Sequence, residues 1–372
     1  MHVQLVDPAA YTPPYDHALA TALARAGARV DLITTASAEW DLATDGTDAS
    51  AALPYERHRD FYRASANLSG PARTAARIAS HPIGLRRLRA RAADITHLQW
   101  APLQEVDALG LPRRRPLAIT AHDILPREAR RFQHAAQRAI YGRADLVVAH
   151  SEHGRQRLID EAGVPASKVR VIPHGAFEHL AAVRRAPLPA ELIDRPAGRP
   201  VVLSFGLIRP YKGTDVLLEA WREVKADAEL WIVGKPRGVD LAALQAIADD
   251  RVRFVPRFVT DGELAACFDA AQLAVLPYRE IEQSGVLATA LAFGTPVLAS
   301  AVGAFPEAER LGAAATVPPA DPAALAAAID RLLADPTERA VLTARARGIA
   351  RAEWSWETVA QLHLAAYEEL LG

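Results

Sequence analysis

A single cysteine, Cys267, excludes an internal disulfide and a thiolate metal cage. Nowhere does an apolar run reach the roughly 20 residues that a membrane span needs. The opening MHVQLVDP lacks the basic region and long apolar stretch of a signal peptide. The expected compartment is therefore the cytoplasm. Neither sign of charge dominates, with 43 Lys+Arg against 44 Asp+Glu. No recognition motif accompanies the basic residues, so nucleic acid is not an expected partner. Disorder is excluded as well: 50% of residues are apolar and 23% charged. With 372 residues, the chain exceeds what one core organises, and two domains are expected.

What the chain does have is repetition of one pattern. Short apolar strands alternate with helical stretches in both halves, the signature of parallel sheets flanked by helices. The first half reads as strands at HVQLV, RVDLITT, ITHLQW, LAITAHD, DLVVAHS and VRVIPHG, with helices at 17–26, 130–141 and 153–162. The stretch 36–63 reads as loop with a short strand. A Pro-rich connector, APLPAELIDRPAGRP, precedes a second series: VVLSFG, AELWIVG, VRFVPR, LAVLPY, TPVLAS and AATVPP. Helices are expected there at 214–225, 241–249, 261–270, 286–292 and 322–333, with another opened by Pro336. SWETVAQLHLAAYEELL closes the chain as an amphipathic helix with Val359, Leu362, Ala366 and Leu370 on one face. The expected fold is α/β, two Rossmann-like doubly wound domains facing across a cleft. The expected bounds are 1–185, a linker at 186–200, 201–350, and a terminal helix at 351–372.

Ligands of such sheets bind beyond the carboxyl ends of strands. There, FGLIRPYKGTDVLLEAW runs from a buried strand into Gly206, through a loop carrying Arg209 and Lys212, to a helix start near Thr214. Two cations facing free helix-start amides suit a diphosphate. Either cation alone would be an ordinary loop residue. In LPYREIEQSGVLATALAFGTPVLAS, Ser284, Gly285 and Val286 open a helix whose unpaired amides form an anion site. Glu280 and Glu282 can accept hydrogen bonds from sugar hydroxyls. The plain alternative is an N-capped helix with surface carboxylates. Charge is also uneven: residues 1–175 hold 23 Lys+Arg against 18 Asp+Glu. Much of that excess lies at Arg86, Arg87, Arg89 and Arg91, at 113–115, and at 127, 130 and 131. Such patches attract anionic lipid or substrate, or are simply a solvated surface.

These motifs resemble the GT-B-fold retaining glycosyltransferases, family 4, most sharply from Val201 to Glu307. The matching features are Gly206/Arg209/Lys212-Gly213, WIVGKP, VRFVPRF, and Glu282 to Val297. Weaker matches are His122 in TAHD, His150-Ser151, and VIPHG at 171–175. The terminal WSWE segment resembles the family helix that crosses back onto the first domain. The resemblance implies transfer of a sugar from a nucleotide-diphosphate sugar to a saccharide or lipid-linked acceptor hydroxyl, with retained anomeric configuration. Arg209, Lys212 and the 284–286 amides would hold the donor diphosphate. Gly206, Gly234, Phe258, Glu280, Glu282 and Thr289 would line the rest of the donor site. His122 would lie in the cleft near the transferred sugar. The chain has no Asp-x-Asp motif, so no metal and no other cofactor is expected.

Two departures from the family stand out. Counted back from Gly294, the family's second Glu falls on Thr289, which puts ribose recognition in question. The family's N-terminal Gly-rich loop is replaced by Thr12-Pro13-Pro14-Tyr15-Asp16. Proline lacks the N–H such loops present, so Tyr15 and Asp16 are the acceptor-side candidates. The altered Glu leaves open a catalytically idle nucleotide-sugar-binding protein or a partner subunit of a transferase. Peripheral contact with an anionic membrane is the further expectation from the basic stretches.

Overall fold

The computed structural model describes residues 1–35, 53–65, 68–113, 115–126, 129–194 and 198–372. Residues 36–52 of the expected loop stretch, Arg114 and Arg127 of the basic stretches, and 195–197 of the expected linker lie outside them. The chain forms two compact units, Met1–Gly175 with Trp356–Gly372, and Ala176–Ser355.

The first unit is a seven-stranded parallel sheet. Its strands are β1 His2–Val6, β2 Arg29–Thr34, β3 Glu56–Arg59, β4 Ile95–Leu98, β5 Leu117–Thr120, β6 Leu146–Ala149 and β7 Val169–Val171. Their order is β3-β2-β1-β4-β5-β6-β7. The second unit is a six-stranded parallel sheet of β8 Val201–Phe205, β9 Glu229–Val233, β10 Val252–Val255, β11 Leu273–Leu276, β12 Val297–Ser300 and β13 Ala315–Val317. Its order is β10-β9-β8-β11-β12-β13. Central strands such as LVVA in β6 and LAVL in β11 are buried throughout, because helices cover both faces of a parallel sheet. In each sheet the order reverses once, between β1 and β4 and between β8 and β11. Loops leaving adjacent strands at a reversal diverge to opposite faces and open a crevice between them.

Several boundaries differ from expectation. The first unit ends at Gly175 rather than 185. Residues from Ala176 on belong to the second unit, where Arg185 binds Asp269 and Arg257 reaches Glu191. The first helix begins at Pro13, not 17, so Tyr15 and Asp16 lie in its first turn. Proline at a first helical position costs no hydrogen bond, since that N–H has no partner anyway. A helix over Gly70–Ala90 escapes the pattern reading, since Pro82 and a run of arginines interrupt its apolar period. Within it, Gly84 lies under Phe61, whose ring a Cβ would meet at 2.3 Å.

The terminal helix, Trp356–Leu371, packs into the first unit through a face that keeps Val359 and Ala366 of the expected stripe but turns Leu362 outward. Leu362 is 40% exposed, while His363 and Tyr367 are fully buried beside Val359 and Ala366. Tyr367 OH lies 2.5 Å from His97 Nδ1, and His97 Nε2 lies 2.8 Å from Thr120 Oγ1. Polar partners available only in the folded unit turn that stripe inward. The VIPHG motif has the same purpose: a Cβ at Gly175 would strike the Trp356 indole at 2.4 Å.

Candidate functional site

At the switch point of the second unit, the loops after β8 and β11 meet. Gly206 follows β8 with φ +96, where a side chain is strained. A Cβ on it would lie 2.9 Å from Lys212 Nζ and 3.1 Å from Val286 Cγ2. Gly234, after β9, is equally constrained: its Cβ would fall 2.0 Å from the Gly206 carbonyl. Lys212 and the start of the Gly285–Phe293 helix thus converge on one backbone point. That helix is capped by Ser284, whose Oγ accepts from Leu287 N at 3.3 Å. The amides of Gly285 and Val286 fall outside the helical ladder and remain available.

The electrostatics there are one-sided. Lys212 is partly buried, with its ammonium 5.1 Å from the Tyr278 ring centroid. Burial pulls its pKa down to about 8, with Tyr211 opposing the fall and Arg209 adding to it. Arg209 Nε is buried without a hydrogen-bond partner. Neither cation has a carboxylate partner among the described residues. By contrast, Arg279 is fully engaged. Its guanidinium grips Asp215 at 2.8 and 2.6 Å and the Pro210 carbonyl at 2.9 Å. Its amide donates to Tyr211 O at 2.7 Å. Arg279, which pattern reading passed over, therefore braces the Arg209–Gly213 loop against the loop after β11. Its only sequence signal is its position two residues before Ile281, in a loop already marked.

The remaining donor-side candidates separate. Glu282 is buried at 6% exposure, whereas Glu280 is exposed. Phe258 is 55% exposed beyond β10, with Lys235 Nζ 5.4 Å from its ring centroid. Thr289 is buried, and its hydroxyl donates to the Gly285 carbonyl at 2.8 Å. One turn into a helix, it is occupied with its own backbone rather than turned toward a ribose. A Cβ at Gly285 would meet only Phe177 Cε2, at 3.6 Å, so the protein itself leaves room there. A hollow of about 610 Å³ in this unit lies elsewhere, lined by Gln272, Gly294, Pro296 and Arg347 at the amino ends of β11 and β12. That is the wrong end of the strands for this chemistry.

In the first unit, Tyr15 and Asp16 do not offer themselves to an acceptor: they are 1% and 0% exposed. Tyr15 packs edge-on against His122, His174 and Trp356, with ring centroids 4.8, 5.0 and 5.1 Å away. Asp16 shares a hydrogen bond with buried Asp7, and desolvation, followed by the Asp7 charge, raises its pKa well above the usual range. Asp7 in turn accepts from the amides of Ala9, Tyr11 and Thr12 at 3.2, 2.6 and 3.2 Å. A carboxylate thus organises the loop where the family has glycines.

His122 is half-buried at the carboxyl end of β5, stacked on Trp100 with centroids 5.0 Å apart. Burial, with His150 and His174 close by, pushes its pKa well below 6.5, so it is neutral at pH 7. His150 Nδ1 faces the Ile172 carbonyl at 3.0 Å and must carry the proton. Its Nε2 then accepts from His122 Nδ1–H, 3.4 Å away. With Nδ1–H donating, His122 Nε2 is the acceptor, so the Gln99 carboxamide, whose Oε1 stands 3.1 Å away, must turn its NH2 toward that lone pair. A hollow of about 230 Å³ opens beside it, lined by Tyr11, Gln99, Trp100, His122 and Asp123. Tyr11, Trp100 and Asp123 were not singled out from sequence; a Gln-Trp pair closing a strand is the only local hint. Among the basic stretches, Arg115 is spent internally on Thr96 Oγ1, Gln4 Oε1 and two carbonyls. Arg91 binds Asp60 at 2.7 Å.

Two doubly wound parallel units, one with an anion-ready switch point, define a class of two-domain α/β proteins that bind anionic ligands beyond the carboxyl ends of their strands. Comparison with known proteins agrees. The family model described as Glycosyl transferases group 1 matches residues 199–335, and that described as Glycosyltransferase Family 4 matches 15–176. The D-inositol 3-phosphate glycosyltransferase of Geodermatophilus obscurus is 32% identical over 285 residues, 68% of this chain and 61% of that protein. The GDP-mannose:glycolipid 4-beta-D-mannosyltransferase of Xanthomonas campestris pv. campestris is 35% identical over 187 residues, 46% of this chain and 49% of that protein. The chain thus spans less than two thirds of either relative. Among solved structures, sucrose-phosphate synthase from Thermosynechococcus elongatus shares the fold with a TM-score of 0.77 and 23% identity, covering 100% of this chain and 99% of that one. The chain belongs to the group 1, family 4 glycosyltransferases, with the two-domain Rossmann-like GT-B fold. No helix among the described residues is long and apolar enough to cross a membrane.

Proposed function

We propose that this protein transfers a hexosyl group from a nucleoside-diphosphate sugar to an acceptor hydroxyl, with retention and without a divalent metal. The observation carrying this reading is the convergence of Lys212 and the Gly285-Val286 helix start on Gly206, with Arg209 in the same loop. Donor diphosphate would receive the two cations from one side and the amides from the other. As the sugar departs, negative charge grows on the leaving phosphate, and donors already aimed at it need no reorganisation. One such donor is worth roughly 3–4 kcal/mol in the transition state. Those groups do the work a metal held by an Asp-x-Asp motif would do. Glu282 and His122 are the candidates for sugar hydroxyl contacts, His122 as a neutral imidazole. The hollow beside Trp100 offers an aromatic face to a saccharide or lipid-linked acceptor. Exposed Ile78 and Ile83 on the arginine-rich Gly70–Ala90 helix support peripheral contact with an anionic membrane.

The test is nucleoside diphosphate release from a panel of UDP-, GDP- and ADP-sugars, with and without EDTA. Release insensitive to EDTA and abolished in Arg209→Ala and Lys212→Ala is expected. Donor binding without release on any acceptor would instead mark an idle binding protein. Retention rests on the family resemblance alone, and inversion has one observation in its favour: the Xanthomonas relative is named for a β-mannosyl product. A β-linkage made from an α-linked nucleotide sugar is an inversion. The anomeric coupling constant of the product decides between them.

A further inference from the structure

A second cluster spans the three adjacent strands β1, β2 and β3 of the first unit's sheet. His2 begins β1, Asp31 lies in β2, and Glu56 and His58 lie in β3. The register pairs His2 with Arg29, Asp31 with Glu56, and Ile33 with His58. Side chains alternate along a strand with period two. All four residues therefore project from the same face, across three adjacent strands. His2 is further held by its amide, which donates to Asp94 Oδ2 at 2.7 Å.

The atoms these residues present to one another are potential ligand atoms. His2 Nε2 lies 3.1 Å from Asp31 Oδ2. His58 Nε2 lies 3.6 Å from Asp31 Oδ1 and 3.5 Å from Glu56 Oε2. Arg29 meets the other Glu56 oxygen, Oε1, at 3.4 Å, leaving Oε2 to face His58. Asp31 is 3% exposed, yet its Oδ1 and the Nε2 atoms of both histidines are buried without a hydrogen-bond partner. Unsatisfied buried polar atoms cost about 1–3 kcal/mol each unless something binds them, and here Asp31 Oδ1 and His58 Nε2 face each other. Bonds of about 2.0–2.2 Å to a tetrahedral zinc ion place its ligands about 3.3–3.6 Å apart. His58 Nε2 lies 3.6 Å from Asp31 Oδ1 and 3.5 Å from Glu56 Oε2, which matches that spacing, and ligand atoms of these three residues all lie within 4.8 Å of one another. An imidazole with two carboxylates suits zinc or a similar transition ion better than the all-oxygen preference of magnesium or calcium.

We propose that Asp31, Glu56 and His58 form a zinc-type metal site that ties edge strand β3 to β2, with His2 of β1 holding the far oxygen of Asp31. The two carboxylates balance the charge of the ion, and the site is structural. It does not depend on the transferase reading, since zinc binding is measured without donor or acceptor.

The experiment uses the full chain without a polyhistidine tag, stripped with EDTA and dialysed against micromolar zinc chloride, then assayed by elemental analysis. One zinc per chain is expected, with a raised Tm, unchanged by millimolar magnesium. Cobalt substitution should give the intense visible bands of a tetrahedral ion. Asp31→Asn should lose stoichiometric zinc and His58→Gln should bind at least tenfold more weakly, whereas His153→Gln on the Glu152–Asp160 helix should retain it. Should Asp31→Asn fail to fold by circular dichroism, the partly exposed His58→Gln decides the matter. Native protein without stoichiometric zinc, or equal zinc retention in both site variants, overturns the proposal.

Discussion

Replacing Lys212 by methionine separates the cost of holding a bare cation from its use. In the folded chain Lys212 titrates near 8 against 10.5 for an ordinary lysine, chiefly because burial penalises the ammonium. A lysine whose folded pKa is lowered contributes stability above its unfolded value, and that contribution is lost as pH falls through the folded value. At pH 7 the full penalty is therefore present. A gap of about 2.5 units corresponds to about 3.4 kcal/mol; screening at a partly exposed site reduces this to about 1.5–3 kcal/mol. Methionine keeps the stem length and can rest on the Tyr278 ring. The transition of the second unit should rise by about 4–10 °C at pH 7, using roughly 2–4 °C per kcal/mol for a unit of this size. The gain should shrink toward zero between pH 8 and 10.5. Nucleoside diphosphate affinity should fall by about 100-fold, the loss of one charge-assisted contact of about 3 kcal/mol. In the native protein the Kd should climb about tenfold per pH unit above 8, as the ammonium loses its proton. Differential scanning fluorimetry and calorimetric titration with UDP and GDP measure all of this. A variant that melts no higher than the native chain and binds nucleoside diphosphate equally well refutes the reasoning.

Gly285→Ala should fold normally, with stability unchanged or up to about 1 kcal/mol higher, because the methyl meets only Phe177 at ordinary contact. Its nucleoside diphosphate Kd should rise at least tenfold, and an unchanged Kd would show that no ligand approaches that backbone. Arg279→Ala breaks an exposed ion pair worth no more than about 1 kcal/mol, yet should weaken donor binding by freeing the Arg209–Gly213 loop. Calorimetry that finds equal affinity would show the loop holds itself. Asp16→Asn addresses a carboxyl whose folded pKa is raised, so its contribution is present below 3.8 and lost as pH rises through the folded value. The asparagine variant should gain on the native chain as pH rises, and parallel urea midpoints across pH 4–8 would contradict the shared-proton arrangement with Asp7.

The two loops proposed to hold the donor were legible because the chemistry of each is local. Gly206, Arg209 and Lys212 occupy one strand–loop–helix passage, and Ser284 to Val286 another. Strand ends and helix starts can be read from apolar period, glycine and capping residues. Where the reading erred, distant residues had overruled local pattern. Tyr15 and Asp16 look like loop polar groups until Asp7, three histidines and Trp356 surround them. Thr289 has the right position in the chain for a ribose contact, but its hydroxyl is taken by the Gly285 carbonyl. Leu362 fits an apolar stripe, and His363 and Tyr367 replaced it because His97 and Thr120 supply their partners.

By itself the sequence determined the class of fold: alternating buried strands and helices can cover their apolar surface only by forming parallel doubly wound sheets. It also determined that cations and glycines would follow β8 and that a helix start would follow β11. Only the tertiary structure decided that these two loops share a switch point, because strand order places β8 beside β11 although 67 residues separate their ends. The same crossing brought His2, Asp31, Glu56 and His58 onto one face of three strands. Chain-local preferences set what each segment becomes. Which segments become neighbours is settled by packing the whole core, and a site assembled from several strands exists only after that step.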